Sequence, residues 1–206
     1  MLGDFNCISI REEAGQRLLK DNYGLDATVV LDPTLLLSKE HYMNMENKLT
    51  GFPKRYIFCY FLNKDHDYKE RVHQYAAEHN LKVVGVSVNP DDGNWMELLE
   101  GIGPCEFLWL IHNAETVFTD SYHGTIFSLL FEKEFYTFER FGADDPINQN
   151  SRIYQLDKWF QVGGRFLSVG RDTNDCKKID YKAVLEKLEN ARAISRNYLE
   201  RALQSC

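Results

Sequence analysis

Asp120-Ser121-Tyr122-His123-Gly124 gathers an acid, a hydroxyl, a phenol, an imidazole and a glycine in five consecutive residues. An imidazole carries charge or moves a proton near neutral pH. Asp120 or Ser121 can cap a helix that starts here, and Gly124 lets a ligand approach the backbone closely. Such a helix start presents unpaired N–H groups and a partial positive charge, which suit an anion. The plain alternative is that Asp120 and Ser121 only cap and His123 only opens a helix, a common arrangement. Two arginines add to the anion-binding set. Arg11 follows a short strand, Cys7 to Ile10, at its carboxyl end, where it could clamp an anion or simply pair with Glu12, Glu13 or Asp32. Arg152 lies in the first turn of a helix predicted to be capped by Ser151 and to run to Phe160, a poor place for a cation on dipole grounds. Its position therefore points to an anionic partner.

The flanking residues predict how the turn is held. Thr116 to Thr119 is a short β-prone run. Thr125 to Phe131 is apolar on nearly every face, so it reads as a buried helix. Ser128 is expected to face the core. Glu132-Lys133-Glu134 breaks the run, and Phe135 to Phe138 reads as the next strand. Strand, loop, buried helix, strand is the parallel crossover unit. In open parallel sheets, ligands bind beyond the carboxyl ends of the strands.

The rest of the chain extends the pattern. Ala14 to Asp21 reads as a helix with Leu18 and Leu19 facing in, and Thr28 to Leu31 as a strand stopped by Asp32-Pro33. Asp32 reads as structural. Ser38 to His41 reads as a short helix capped by Ser38, and residues 44–54 as a linker. Tyr56 to Leu62 predicts a central parallel strand. Asp65 to Asn80 predicts a helix with Tyr68, Val72, Tyr75 and Ala76 on one face. A strand from Leu81 to Val88, a loop from Asn89 to Asn94 and a helix from Pro104 to Asn113 follow. Residues 140–150 form a long polar loop, and long loops in compact domains are often functional. Phe166 to Val169 is a short strand. Asp180 to Leu203 is a long amphipathic helix, with Tyr181, Val184, Leu188, Ala191 and Tyr198 on one face. The order from Tyr56 onward predicts an α/β domain, a Rossmann-like parallel sheet flanked by helices. No dinucleotide fingerprint and no P-loop motif is present.

Composition narrows the function classes. The chain has 206 residues, 44% hydrophobic and 13% aromatic, enough for a substantial core. A net charge of −7 argues against general nucleic-acid or anionic-membrane binding, though not against a local basic pocket. No apolar run is long enough to span a membrane, and the N-terminus reads as no signal peptide. Cys7, Cys59, Cys105, Cys176 and Cys206 are scattered, with no zinc spacing, and read as reduced thiols. His66, His73 and His79 are expected on a solvated helix face, and His41 and His112 carry no chemical signal.

Three stretches together resemble the polysaccharide pyruvyl transferase family. They are Ile8-Ser9-Ile10-Arg11-Glu12, then Val30 to Leu37 with Asp32-Pro33-Thr34 inside, then Asn113 to Ser128, which follows an N-A-x-x-V-x-T-D-S-[FY]-H-G-x-x-F-S pattern. Ser151-Arg152-Ile153 looks like a later element of the same family, and the similarity runs from about Ile8 to Phe160. The resemblance implies a fold like one half of a two-domain GT-B glycosyltransferase. It implies transfer of a pyruvyl group from phosphoenolpyruvate to sugar hydroxyls of a bacterial exopolysaccharide or its precursor, usually as a ketal. It implies His123 as catalytic, and Arg11, Ser121, Tyr122, Gly124 and Arg152 as substrate-binding residues. Neither a metal nor a cofactor beyond the phosphoenolpyruvate donor is implied, and a cytosolic donor implies a cytoplasmic protein. Family members carry a Rossmann-like domain before the I-S-x-R-E strand, so residues 1–54 are expected to be the connector and last strand of that domain. Residues 55–206 are expected to be the donor-binding domain. Acceptor contacts would then lie largely elsewhere, and the face with Arg11 and His123 would meet a partner chain or a second copy. Two other readings remain at this point: a GT-B domain binding a nucleotide-sugar, and a non-catalytic binding or assembly module.

Overall fold

The computed structural model describes residues 4–64, 68–142, 145, 148–168 and 171–204. The predicted roles of Asp65, His66, Asp144, Pro146, Ile147, Val169 and Cys206 lie outside the described residues. Six parallel strands form the main sheet: β3 (Tyr56–Phe61), β4 (Lys82–Ser87), β5 (Glu97–Leu98), β6 (Thr116–Thr119), β7 (Glu134–Phe138) and β8 (Phe166–Leu167). Their spatial order is β5-β4-β3-β6-β7-β8, so the chain reverses direction across the sheet between β3 and β6. That is the Rossmann order, with its switch point at the β3–β6 pair.

Tyr-Ile-Phe-Cys-Tyr-Phe in β3 is apolar on both faces because both faces are covered. Side chains alternate across a strand. Tyr56 and Phe58 therefore join one apolar cluster, with residues of α4 (Pro104–Asn113), α5 (Tyr122–Leu130), α6 (Ser151–Phe160) and α7 (Tyr181–Gln204). Ile57, Cys59 and Phe61 join the other, with Val72, Tyr75 and Ala76 of α3 (Lys69–His79). The bounds predicted for α4 and β6 are the observed ones. Strand β5 was not expected; its two residues carry no periodicity, and it exists by pairing with β4.

A separate two-stranded parallel sheet precedes this domain. It pairs β1 (Ser9–Ile10) with β2 (Thr28–Val29), joined by α1 (Glu13–Tyr23). Short helix α2 (Lys39–Met43) follows. The predicted Leu18 contact is corrected: Leu18 is exposed, and α1 buries none of its residues. The segment is instead fastened by polar bonds. The Gln155 side chain accepts from the Glu13 amide (2.7 Å) and donates to the Arg11 carbonyl (3.1 Å). The Leu31 amide donates to the Ser195 hydroxyl at 2.9 Å. Arg192, buried on α7, donates to the carbonyls of Leu35 and Leu37. Residues 44–54 contain no helix or strand, yet Phe52 packs edge-on against Tyr56 and Trp109.

Candidate functional site

The site begins at the carboxyl end of β6, on the switch point. Asp120 does not cap α5. Its carboxylate accepts from the Leu62 and Asn63 amides, at 2.7 and 2.8 Å, and so pins the chain leaving β3 to the chain leaving β6. Ser121 is the cap: its hydroxyl accepts from the Gly124 amide at 3.3 Å. The amides of Tyr122 and His123 have no partner among the described residues. They are the orphan donors of a helix start, directed away from the core. Gly124 has a packing reason. A Cβ there would overlap the Thr119 side chain, whose hydroxyl is occupied by the Tyr60 carbonyl. Ser128 is fully buried, as expected, and donates to the Gly124 carbonyl.

Cations converge on this helix end. Arg11 and Arg152 both place their guanidinium carbons over the Tyr122 ring, at 5.1 and 5.6 Å from its centroid. The negative face of the ring favours such cations. Among the described residues, no carboxylate lies within ion-pair distance of Arg152. Helix α6 starts differently from the sequence reading. Ser151 is its first residue rather than its cap, and the Ser151 hydroxyl donates to Glu12 at 3.1 Å. The flanking Asn150 bonds both backbone groups of Phe141. That clamp brings Arg140 into the same cavity, about 230 Å³, with His123, Arg152 and Ser121. Arg140 and Asn150 carried no signal beyond their place at the ends of a long polar loop.

Asp32 closes the turn after β2, in keeping with its structural reading, and it also lies beside Arg11 and His123. The carboxylate is buried and accepts from the Thr34 amide (3.0 Å) and hydroxyl (2.7 Å) and from Arg11 (2.6 Å). It lies 3.9 Å from His123 Nε2. Burial opposes its ionisation, but Thr34, Arg11 and His123 outweigh burial and hold the carboxyl below its ordinary range. His123 is half exposed, and its imidazole is driven the other way. Burial lowers its proton affinity most, Asp32 pulls it back up, and Arg11 and Arg152 lower it again. Burial, with help from Asp32, keeps the Tyr122 phenol protonated. His123 thus prefers to be neutral and lies among Asp32, Arg11 and Arg152, next to two amides with no partner among the described residues.

No curated protein sequence matches the chain. Solved structures similar to it include two epimerases. The UDP-GlcNAc 2-epimerase of Methanocaldococcus jannaschii, in complex with UDP-GlcNAc and UDP, is 15% identical with a TM-score of 0.49, over 97% of this chain and 61% of that one. The UDP-GlcNAc 2-epimerase of Neisseria meningitidis, bound to UDP-GlcNAc, is 11% identical with a TM-score of 0.50, over 93% of this chain and 54% of that one. The chain thus spans less than two thirds of either protein, and the Neisseria likeness supports the Rossmann-like, GT-B-type fold alone. Among the described residues, no helix is long and apolar enough to cross a membrane. The polysaccharide pyruvyl transferase family model matches residues 1–140, a span holding Arg11, Asp32 and the whole turn from Asp120 to Gly124. The chain is a member of the polysaccharide pyruvyl transferase family.

Proposed function

We propose that this chain provides the phosphoenolpyruvate site of a transferase that builds pyruvyl ketals on sugar hydroxyls of a cell-surface polysaccharide or its precursor. The observation that carries the reading is that Arg140, Arg152 and His123 line one cavity at the start of α5, where Arg11 and Arg152 share the Tyr122 ring and two amides have no partner among the described residues. Phosphoenolpyruvate carries a phosphate and a carboxylate on the same carbon. Helix-end amides suit the phosphate oxygens, and a guanidinium fork suits the carboxylate. Ketal formation needs a proton on the donor's methylene carbon. One sugar hydroxyl then adds to the neighbouring carbon, a second displaces phosphate, and each loses its proton. His123 is the proton donor by residue type and place. A phosphate dianion beside it opposes the arginines and raises its proton affinity, so the proton arrives with the substrate.

A nucleotide-sugar site is the second reading, favoured only by the fold shared with a protein bound to UDP-GlcNAc. Calorimetric titration with phosphoenolpyruvate, UDP and inorganic phosphate separates the two. Phosphoenolpyruvate is expected to bind most tightly, and Arg152→Ala and His123→Ala each to weaken it by about tenfold or more, the scale of one lost charge-assisted bond. Tighter binding of UDP, or unchanged affinity in both variants, contradicts the donor reading.

A further inference from the structure

We propose that Asp32 is a positioning residue of this site, whose Oδ2 orients the Arg11 guanidinium and balances charge on the His123 imidazole while its Oδ1 closes the local turn. The inference rests on reading the pocket as a donor site. The two oxygens are divided between two tasks. Oδ1 accepts from both the Thr34 amide and the Thr34 hydroxyl, which caps the 3₁₀ turn Pro33–Leu35. Oδ2 accepts from Arg11 at 2.6 Å and faces His123 Nε2 at 3.9 Å.

The cap alone does not call for a carboxylate. Asn and Ser cap about as well as Asp, and a buried charge is costly unless it is paired. At 2% exposure, Asp32 bears that cost, and the groups that compensate it lie in the pocket. Those groups come from separate parts of the chain. Arg11 follows β1 and His123 opens α5, so one carboxylate fixes the spacing between the small sheet and the main domain at the reacting end.

His123 faces Asp32 from the turn after β2, Arg11 from the end of β1 and Arg152 from α6, with Tyr122 preceding it on α5. Arg140 and Asp120 line the same cavity, and the Asp120 carboxylate accepts from the Leu62 and Asn63 amides. Asp32 is the carboxylate that reaches the imidazole, at 3.9 Å, and without it His123 would resist the proton that the chemistry needs.

Asp32→Asn isolates the claim, because its Oδ1 can keep the Thr34 contacts while Oδ2 becomes an uncharged NH₂. Asp32→Ser keeps a capping oxygen and is the second variant should the first fold poorly. The His123 ring resonances are followed by NMR from pH 4 to 9 in the wild type, both Asp32 variants and Thr34→Val. The midpoint of His123 is expected to fall by about one pH unit in the Asp32 variants, the lower end of the effect of an opposite charge at this distance. It stays in place in Thr34→Val. Phosphoenolpyruvate affinity at neutral pH falls by about tenfold in the Asp32 variants, because the charged fraction of the imidazole falls by that factor. An unchanged or raised His123 midpoint without the Asp32 carboxylate overturns the proposal. If the midpoint falls but the wild type binds no phosphoenolpyruvate, the donor reading fails and the coupling of Asp32 to His123 stands.

Discussion

Two walls flank Tyr122 and His123, and they are held in place by opposite means. The wall made by β6 and α5 is embedded in the core: every residue from Gly124 to Leu130 is buried, and the strand beside it is buried throughout. The wall that carries Arg11 and Asp32 hangs on two strands of two residues each. It is fixed by side-chain bonds from Gln155, Arg192 and Ser195, each more than 140 residues away in sequence. One wall is rigid because many atoms exclude water. The other is placed by a few polar bonds that can be cut one at a time. The comparison teaches where the site is robust, at the helix end that would take the phosphate, and where it is adjustable, at Arg11.

The first way to break this contrast is to damage the core wall. Leu129 is fully buried on α5, and Leu129→Ala should cost about 3 kcal/mol through lost contacts and the cavity left behind. Urea unfolding reads this directly. The hanging wall should yield with less. Arg192→Ala strips the Leu35 and Leu37 carbonyls of their donor, at a cost of about 2 kcal/mol. Its effect on phosphoenolpyruvate binding should nonetheless exceed that of Leu129→Ala measured well below the unfolding transition, because Arg192 supports the turn that bears Asp32. Equal stability losses, or a binding loss confined to Leu129→Ala, would erase the distinction between the walls.

The smallest effect lies between the walls, at His123. Its folded proton affinity is below the ordinary value, so the unfolded chain binds more protons between the two midpoints. The stability this group contributes is present above about pH 6.5 and is lost as pH falls through the lower, folded value. Wild-type melting temperature should therefore fall more steeply below pH 6.5 than that of His123→Gln. Parallel slopes would mean that His123 does not feel the burial and the arginines around it.

The two walls also differ in how far they could be read in advance. Apolar density from Thr125 to Phe131 and a β-prone run before it were enough to place the α5 wall and to narrow its cap to Asp120 or Ser121. Gly124 was visible as special, but not that Thr119 is what fills the space beside it. The other wall was readable only in part. Arg11 stood out by type, but Asp32 read as structural, because its second oxygen has no local signature: its partners are 21 residues before it and 91 after it. Ser195 follows Val184, Leu188 and Ala191 on the apolar stripe of α7, and Arg192 sits beside them. Polar residues on such a stripe are a usable sign of buried bonds, although they do not say to what. Leu18 misled for the converse reason. Its helix has little core to face, so an apolar residue there remains in water.

The most direct test of the donor site is an amide NMR titration of this chain with phosphoenolpyruvate. The unpaired amides of Tyr122 and His123 should show the largest shifts, with smaller ones at Arg11 and Arg152 and none in the groove near His73 and Trp95. Largest shifts in that groove, or saturable binding that leaves Tyr122 and His123 unmoved, would contradict the placement of the donor at the start of α5.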